Sequence, residues 1–276
     1  MNQYPSKGFT HAGKFHADDV FSTALLKYLN PNYSYTRGYQ IPEDFDGIIY
    51  DIGWGEFDHH QADARVRENG VPYAAFGLLW EKFGADILGE EEAKQMDARF
   101  VQALDLSDNT GESHEICQIM ESFNPVWDST QPEDEAFAEA VAVAQKILEH
   151  KFESVLSVRR GEELVKAALE QAKDHIVVLE KMVPWKQIVT PTDMEYVVYP
   201  SRRGGYAAQG VPIHIDSMEL KRPFPEEWRG ASAEELARLS GVEGLRFCHK
   251  SGFLITAETL EEVIQCCKIA QEADNI

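Results

Sequence analysis

Polar and apolar residues in the first part of the chain follow two different periods, one typical of strands and one of helices. Short β-rich runs bounded by turn residues predict three strands, at residues 7–10, 33–37 and 47–51. Apolar residues at helical spacing predict three helices, at residues 18–29, 74–83 and 90–104. Asp18 is the expected N-cap of the first helix. This strand–helix–strand order predicts an α/β domain with a mostly parallel sheet.

The pattern changes after residue 130. Residues 131–175 are mostly helical and predict a helical connector, read as a hairpin that Gly161 interrupts. The last hundred or so residues predict short strands and two helices, at 176–179, 196–199, 245–248, 233–239 and 258–270. The sequence therefore predicts three parts: a catalytic domain at 1–130, the connector at 131–175, and a smaller C-terminal α/β domain that binds substrate at 176–276.

The formal net charge is −21, which argues against long duplex DNA as a partner because binding to its backbone needs a basic surface. A short nucleic-acid end held by metal ions is not excluded. No apolar run approaches the roughly 20 residues of a membrane helix, and the N-terminal residues do not resemble a secretory signal. A cytoplasmic location without membrane contact is expected. The four cysteines form no C-x-x-C pair, which argues against disulfides and zinc-thiolate sites.

Four separated motifs carry the residue types of a metal site: His11-x4-His16-x-Asp18-Asp19, Asp51, Asp58-His59-His60 and Asp105-x2-Asp108-Asn109. His11, Asp51 and Asp58 each follow or end a predicted strand, where functional groups of parallel sheets collect. Imidazole and carboxylate together suit Mn²⁺, Zn²⁺, Fe²⁺ or Mg²⁺. Each motif alone is commonly structural, but together they offer enough ligands for two cations that share a carboxylate. Asp51 is the expected bridge because a strand end would hold it rigidly.

These motifs resemble the DHH phosphoesterase superfamily, and within it the melanocyte proliferating gene family of predicted metal-dependent hydrolases. The resemblance continues through short segments along nearly the whole chain, at 183–186, 209–212, 225–230 and 247–253. It implies a DHH-like N-terminal domain and two divalent cations, with Mn²⁺ expected and Mg²⁺, Zn²⁺ and Fe²⁺ as alternatives. The metal ligands that it implies are His11, His16, Asp18, Asp51, His59 and one aspartate of the fourth motif.

The remaining residues of the motifs receive supporting roles from the same resemblance. His60 would face the substrate phosphate, and Asp58 would orient a histidine. Asp105 and Asp108 are three residues apart and would share a helix face, so either or both could reach a metal. Asp105 is favoured as the ligand, which leaves Asp108 a catalytic role.

Candidate substrate contacts lie in the C-terminal part. Arg202, Arg203, Lys221 and Arg222 belong to a cation-rich stretch in which acidic residues are interspersed, so a mixed solvated surface is an equal alternative. His249, Ser251 and Gly252 form a loop that could hold a phosphate through backbone amides and side chains.

The resemblance implies a metal-dependent phosphodiesterase, with a 3′–5′ exonuclease on short single-stranded RNA as the expected activity. The acidic composition favours an alternative, a phosphohydrolase acting on a nucleotide or pyrophosphate. A catalytically inactive metal-binding regulator is the third interpretation, and the complete set of ligand types argues against it. The sequence leaves open whether the chain forms a homodimer.

Overall fold

The computed structural model describes residues 4–273. The chain divides into two compact units, Met1–Val155 and Leu156–Ile276. A single helix, α6 (Glu133–Glu170), runs through residues of both. The predicted hairpin at 131–175 is therefore wrong, because Gly161 continues the helix instead of interrupting it. The three-part division at 130 and 175 stays a prediction. No helix within residues 4–273 is long and apolar enough to cross a membrane.

The first unit has the predicted α/β architecture. Its three-stranded sheet has the order β2-β1-β3, and both strand pairs are parallel. The remaining elements are helical, and a π-helical turn at Asp97–Val101 breaks the helix that was predicted at 90–104. The elements are β1 (Lys7–His11), α1 (Ala17–Leu29), β2 (Ser34–Gly38), β3 (Ile48–Ile49), α2 (Ala75–Leu88), α3 (Glu90–Met96), α4 (Gln102–Thr110) and α5 (Glu115–Glu121).

Strand β1 lies at the centre of this sheet, between β2 and β3. The side chain of Tyr33 packs closely against its backbone at Gly8. Phe9 and Thr10 are buried. A Cβ atom on Gly8 would lie 1.6 Å from the hydroxyl of Tyr33, so glycine is needed for Tyr33 to pack there. Helix α1 buries Phe21, which contacts Phe76 of α2 with ring centroids 5.5 Å apart. This packing places the start of α1 beside the carboxyl end of β1.

Two details of the first unit differ from expectation. The residue that caps α1 is His16 instead of Asp18, and its backbone N–H donates to the Asp19 carboxylate at 2.9 Å. Asp18 lies inside the first turn, where its side chain is free to point elsewhere. Strand β3 has only two residues, and Asp51 follows in a left-handed conformation that ends the extended run.

The second unit has a five-stranded mixed sheet with the order β4-β5-β6-β8-β7, in which only the β4–β5 pair is parallel. Its elements are β4 (Ile176–Val178), α7 (Lys186–Val189), β5 (Tyr196–Pro200), β6 (Tyr206–Gly210), a 3₁₀ turn (Glu226–Trp228), α8 (Ala233–Ser240), β7 (Leu245–Cys248), β8 (Leu254–Ala257) and α9 (Leu260–Ala273). Strands β6 and β8 were not predicted.

Both faces of this second sheet are covered. Along β5, Tyr196 and Val198 enter one core cluster and Val197 enters another, as the alternation of a strand requires. Gly204 and Gly205 lie in the turn that joins β5 to β6, with positive φ angles of 89° and 67°. The continuous apolar run of β5 is thus explained by burial on both faces.

Candidate metal centre

The four motifs of the first unit converge at the carboxyl end of its parallel sheet. His11 is the last residue of β1, Asp18 and Asp19 lie in the first turn of α1, and Asp51 follows β3. Since β1 pairs in parallel with both β2 and β3, the loops that follow these strands leave from the same edge. The two later motifs join them through tertiary contacts, described below.

Asp51 lies between two histidines. Its Oδ2 atom is 3.2 Å from Nε2 of His11, and its Oδ1 atom is 3.2 Å from Nε2 of His59. The backbone of Asp51 has a φ angle of 55°, a left-handed conformation that aspartate tolerates better than bulky residues do. Its amide donates to the carbonyl of Phe57 at 2.9 Å, which ties this turn to the Asp58-His59-His60 segment. One carboxylate oxygen therefore faces each histidine.

Both histidines are oriented in the same way. Nδ1 of His59 is 3.2 Å from Oδ1 of Asn109. The Asn109 amide nitrogen donates to two backbone carbonyls, those of Tyr73 and Asp105, so its oxygen is the acceptor and His59 the donor. Nδ1 of His11 lies 3.0 Å from the carbonyl of Ala12, which only accepts. These bonds leave Nε2 of each ring directed at the carboxylates, as a metal-binding histidine requires.

Three trios of side chains bring their donor atoms within 4.8 Å of one another. They are His11 with Asp19 and Asp51, Asp18 with His59 and Asp108, and Asp51 with His59 and His60. Asp18, Asp19, Asp51 and His59 are buried, each at most 9% exposed. The side chain of Asp108 is 14% exposed. Asp19 was missed as a candidate ligand by sequence reasoning, although it adjoins Asp18 in the first motif.

The electrostatics of the cluster match a site that holds cations. Burial and the neighbouring carboxylates of Asp51 and Asp108 raise the pKa of Asp18 well above its usual value. For His11 and His59, by contrast, burial lowers the pKa. Hydrogen bonds and charge from Asp51 outweigh burial and raise the pKa of each to about 9. Carboxylates crowded around imidazoles bind protons tightly, and divalent cations are the other ligands that neutralise such a set.

Burial alone would raise the pKa of Asp51, but its contacts with His11 and His59 lower the pKa to about 2. Burial raises the pKa of Asp19 to about 7 although the charge of His11 opposes it. Both carboxylates contact Nε2 of His11, yet the pKa of Asp19 is raised and that of Asp51 is lowered. Contacts with two histidines thus favour the ionised form of Asp51 more than that of Asp19.

Asp18 also holds the start of α2. Its two carboxylate oxygens accept the backbone N–H groups of Ala75 and Phe76, at 3.0 and 2.7 Å. These are unpaired donors at a helix N-terminus, where a negative charge is stabilised. A carboxylate offers about four lone-pair directions, so these bonds leave Asp18 able to face His59, whose Nε2 is 3.9 Å away.

Asp105 is directed away from the trios. Its Oδ1 atom accepts the N–H of Gly77 at 3.1 Å, and its Oδ2 atom is 2.7 Å from the guanidinium of Arg67. A Cβ atom on Gly77 would lie 1.8 Å from Oδ2 of Asp105, so the approach requires glycine. The geometry therefore does not support the preference for Asp105 as the ligand of the fourth motif, and Asp108, whose Oδ2 is 3.2 Å from Nε2 of His59, is the aspartate that reaches the cluster.

Asp58 organises the loop that contains the adjacent histidines. Its Oδ1 atom is 2.6 Å from Nδ1 of His60 and accepts the backbone N–H of His59 at 2.8 Å. Its Oδ2 atom accepts the backbone N–H of Trp54 at 2.6 Å. The structure therefore places Asp58 as the residue that orients His60. His60 has a side chain 56% exposed, consistent with a group that meets a substrate.

An open cavity of about 850 Å³ lies over the cluster. His16 lines it, with its ring centroid 6.2 Å from that of His11, but His16 belongs to none of the three trios. Among the described residues that line the cavity, Lys14 is the only lysine or arginine. The cavity is wide enough for a nucleotide-sized ligand.

A family model matches residues 8–271, almost the whole chain; the model is MYG1_exonuc, described as "Uncharacterised protein family (UPF0160)". The chain belongs to the MYG1 family. It is 25% identical to a MYG1 protein of Schizosaccharomyces pombe, over 95% of this chain and 96% of the relative. It is 28% identical to the human protein named MYG1 exonuclease, over 96% of this chain and 85% of the relative. No solved structure was found to match.

The substrate contacts predicted in this MYG1 family member's second unit have varied surroundings. Arg202 and Arg203 are exposed beside the β5–β6 turn. The ammonium group of Lys221 donates to the backbone carbonyls of Thr192 and Met194, and Arg222 pairs with Glu195 at 3.0 Å. Lys221 and Arg222 are therefore partly buried cations bonded within the second unit, and a substrate contact by either residue stays a prediction.

The His249–Gly252 loop of the same unit is a closed turn. Nδ1 of His249 accepts the backbone N–H of Ser251 at 3.1 Å and lies 2.8 Å from the Ser251 hydroxyl. Gly252 has a φ angle of 68°, and a Cβ atom there would lie 2.6 Å from Nε of Arg229. Its glycine is explained by this packing, so a phosphate is not needed to account for it. A phosphate contact by this loop stays a prediction.

Proposed function

We propose that this protein is a phosphoesterase that uses two divalent cations, with Mn²⁺ as the native ion, to hydrolyse phosphodiester bonds. The observation that carries the proposal is Asp51, whose two carboxylate oxygens each face Nε2 of a different histidine between two ligand trios. A shared carboxylate is the feature that distinguishes a two-metal site from two separate sites. The donor set, imidazoles with carboxylates and no thiolate, fits Mn²⁺.

The ligands divide into two groups around Asp51. His11 and Asp19 would hold one cation, and Asp18, His59 and Asp108 the other. Bound there, two cations would polarise the phosphate and lower the pKa of an attacking water. The chain's own contribution is to fix the ligands in advance: Asn109 orients His59, and backbone amides of α2 fix Asp18.

The substrate phosphate would be met by His60. Nδ1 of His60 donates to Asp58, which leaves Nε2 to meet a phosphate oxygen or a leaving oxygen, to which it donates when the ring is protonated. Lys14, with a side chain 64% exposed and 3.7 Å from Glu121, is the cation of the cavity wall that could pair with a second phosphate oxygen.

For the substrate we propose short single-stranded RNA, degraded from its 3′ end. The name of the human relative, MYG1 exonuclease, supports a nucleic-acid substrate. A second candidate, hydrolysis of a nucleotide, is favoured by the net charge of −21 and by Lys14 being the only lysine or arginine among the described residues lining the cavity. Comparing an RNA oligonucleotide with mononucleotides as substrates separates the two.

The test is the metal content of the purified protein together with Mn²⁺-dependent hydrolysis of a bis-aryl phosphodiester. We expect close to two metals per chain and turnover that chelation abolishes. Asp51→Ala is expected to lower the metal content to one or none and the turnover at least a thousandfold. Asp44→Ala, at an exposed position before β3, is the matched control and should match the wild type.

The opposite results are equally decisive. Full metal content and turnover in Asp51→Ala would place the site elsewhere. Absence of both metal and turnover in the wild type would favour the inactive, regulatory interpretation.

A further inference from the structure

A large aromatic side chain lines the cavity over the His–Asp cluster, and most of its surface is exposed to solvent. Trp54 lines the cavity and is 75% exposed. Tryptophan is rarely left in water when packing is available, because burying it contributes a large apolar area. A tryptophan held in solvent beside a candidate catalytic centre therefore calls for a ligand that covers it.

The backbone at Trp54 is held in an unfavourable conformation. Its φ angle is 65°, in the left-handed region that bulky residues seldom adopt. Such conformations persist where the surrounding structure enforces them, and they concentrate at functional sites. The neighbouring Gly53 has a φ angle of 91° and lines the cavity together with Trp54.

The group that enforces this turn is Asp58. Its Oδ2 atom accepts the N–H of Trp54 at 2.6 Å, while its Oδ1 atom is 2.6 Å from Nδ1 of His60. One carboxylate thus bonds both the backbone of Trp54 and the ring of His60. The backbone position of Trp54 is therefore tied to the same side chain that orients His60.

The charge of the cavity indicates what the indole would bind. Lys14 is the only lysine or arginine among the described residues lining the cavity, so beyond the proposed cations few basic side chains are present to hold further phosphates of a polyanion. Stacking of an aromatic ring on a nucleobase does not depend on charge and tolerates every base. An indole beside a phosphate site is the arrangement expected for a ligand with a flat base and a phosphate.

We propose that Trp54 is the base-stacking residue of this site, so that the substrate is recognised as a nucleotide unit whose base covers the indole while its phosphate reaches the cavity. This inference rests on the proposed phosphoesterase function and adds to it the residue that recognises the base. It predicts preference for a base-bearing phosphate over the same sugar phosphate without a base, with little discrimination among bases.

The test compares binding of adenosine 5′-monophosphate and ribose 5-phosphate by calorimetry, with the full chain in Mn²⁺. The wild type is expected to bind the nucleotide at least about tenfold more tightly, the value of one stacked base. Trp54→Ala should remove this preference and leave the affinity for ribose 5-phosphate within about twofold. Trp54→Tyr should restore most of it.

Trp127 provides a matched control because it is 96% exposed and does not line the cavity. Trp127→Ala is expected to keep the wild-type preference, and metal content should be unchanged in all three variants. The proposal is overturned if Trp54→Ala retains the preference, or if the wild type binds both compounds equally or neither at millimolar concentration. Hydrolysis of the bis-aryl phosphodiester is measured in parallel. Its absence, with the base preference intact, contradicts the phosphoesterase function alone.

Discussion

Asp105 and Asp108 lie three residues apart in α4, and their carboxylates have opposite surroundings. Asp105 is fully buried against the guanidinium of Arg67 and the N–H of Gly77. Asp108 faces the cavity, where its Oδ2 atom is 3.2 Å from Nε2 of His59 and the carboxylates of Asp18 and Asp51 are close. One charge is neutralised by a residue of the protein, and the other lies in a cluster whose charges call for a bound cation.

The pKa values reflect this difference. Burial raises the pKa of Asp105 to about 7 although Arg67 opposes the shift. Burial and then the charge of Asp51 raise the pKa of Asp108, and only histidines oppose it. Arg67 is a permanent cation, so Asp105 has its counter-ion in every state of the protein. The comparison teaches that the counter-ion distinguishes the two carboxylates of this helix. Asp105 pairs with an arginine of the protein, whereas Asp108 lies in the cluster proposed to bind metal.

The largest effect on stability is expected from removing that permanent cation. Arg67→Met would leave the buried carboxylate of Asp105, which Arg67 contacts at 2.7 Å, without a counter-ion. It would also remove the contact of Arg67 with the partly buried Asp97, at 2.7 Å. We expect the free energy of unfolding to fall by about 3–5 kcal/mol, as measured for broken buried ion pairs. Denaturant unfolding checks this.

Arg65→Met is the matched control, since Arg65 pairs with Glu81 at 2.6 Å but has a side chain 57% exposed. Its loss should cost less than about 1 kcal/mol. If both variants lose the same amount of stability, the proposed supporting role of the Arg67–Asp105 pair is wrong.

A smaller effect is expected at Asn109, which orients His59 and contacts no other side chain of the trios in the bonds described. Asn109→Ala would release Nδ1 of His59, and metal affinity is expected to fall about 10- to 100-fold with little change in stability. Calorimetric titration with Mn²⁺ measures this. Asn69→Ala, which removes an exposed bond to Gln102, is the control and should bind metal normally. Unaltered affinity in Asn109→Ala would mean that the ring is oriented by other contacts.

The smallest effect has the opposite sign to that of Arg67. Asp108→Asn removes one negative charge from a site whose raised pKa shows that the charge is disfavoured in the metal-free protein. Charges about 4 Å apart interact by about 1 kcal/mol even in water, so we expect metal-free Asp108→Asn to be more stable by about that amount. Thermal unfolding with and without Mn²⁺ measures this, and the stabilisation by Mn²⁺ should be reduced in the variant. A less stable metal-free variant would contradict the repulsion.

The sequence alone determined the α/β class of the first unit and the region of its site. Three strands and a following helix could be predicted because β-rich runs bounded by turn residues and apolar residues at helical spacing are local features of the sequence. His11, Asp51 and Asp58 could be predicted as neighbours because residues after parallel strands meet at one edge. The family resemblance agreed with these positions.

Tertiary structure decided which chemically similar residues reach the cluster. Helical spacing places Asp105 and Asp108 on one face, but the choice between them depends on Arg67 and Gly77, far away in sequence. The exposed Trp54 is positioned by a turn whose left-handed residues follow no periodic pattern. Lys221 was a candidate substrate contact in the sequence, yet its ammonium group donates to two backbone carbonyls of its own unit. A sequence pattern records local periodicity, whereas counter-ions and hydrogen-bond partners are supplied by residues that only folding brings together.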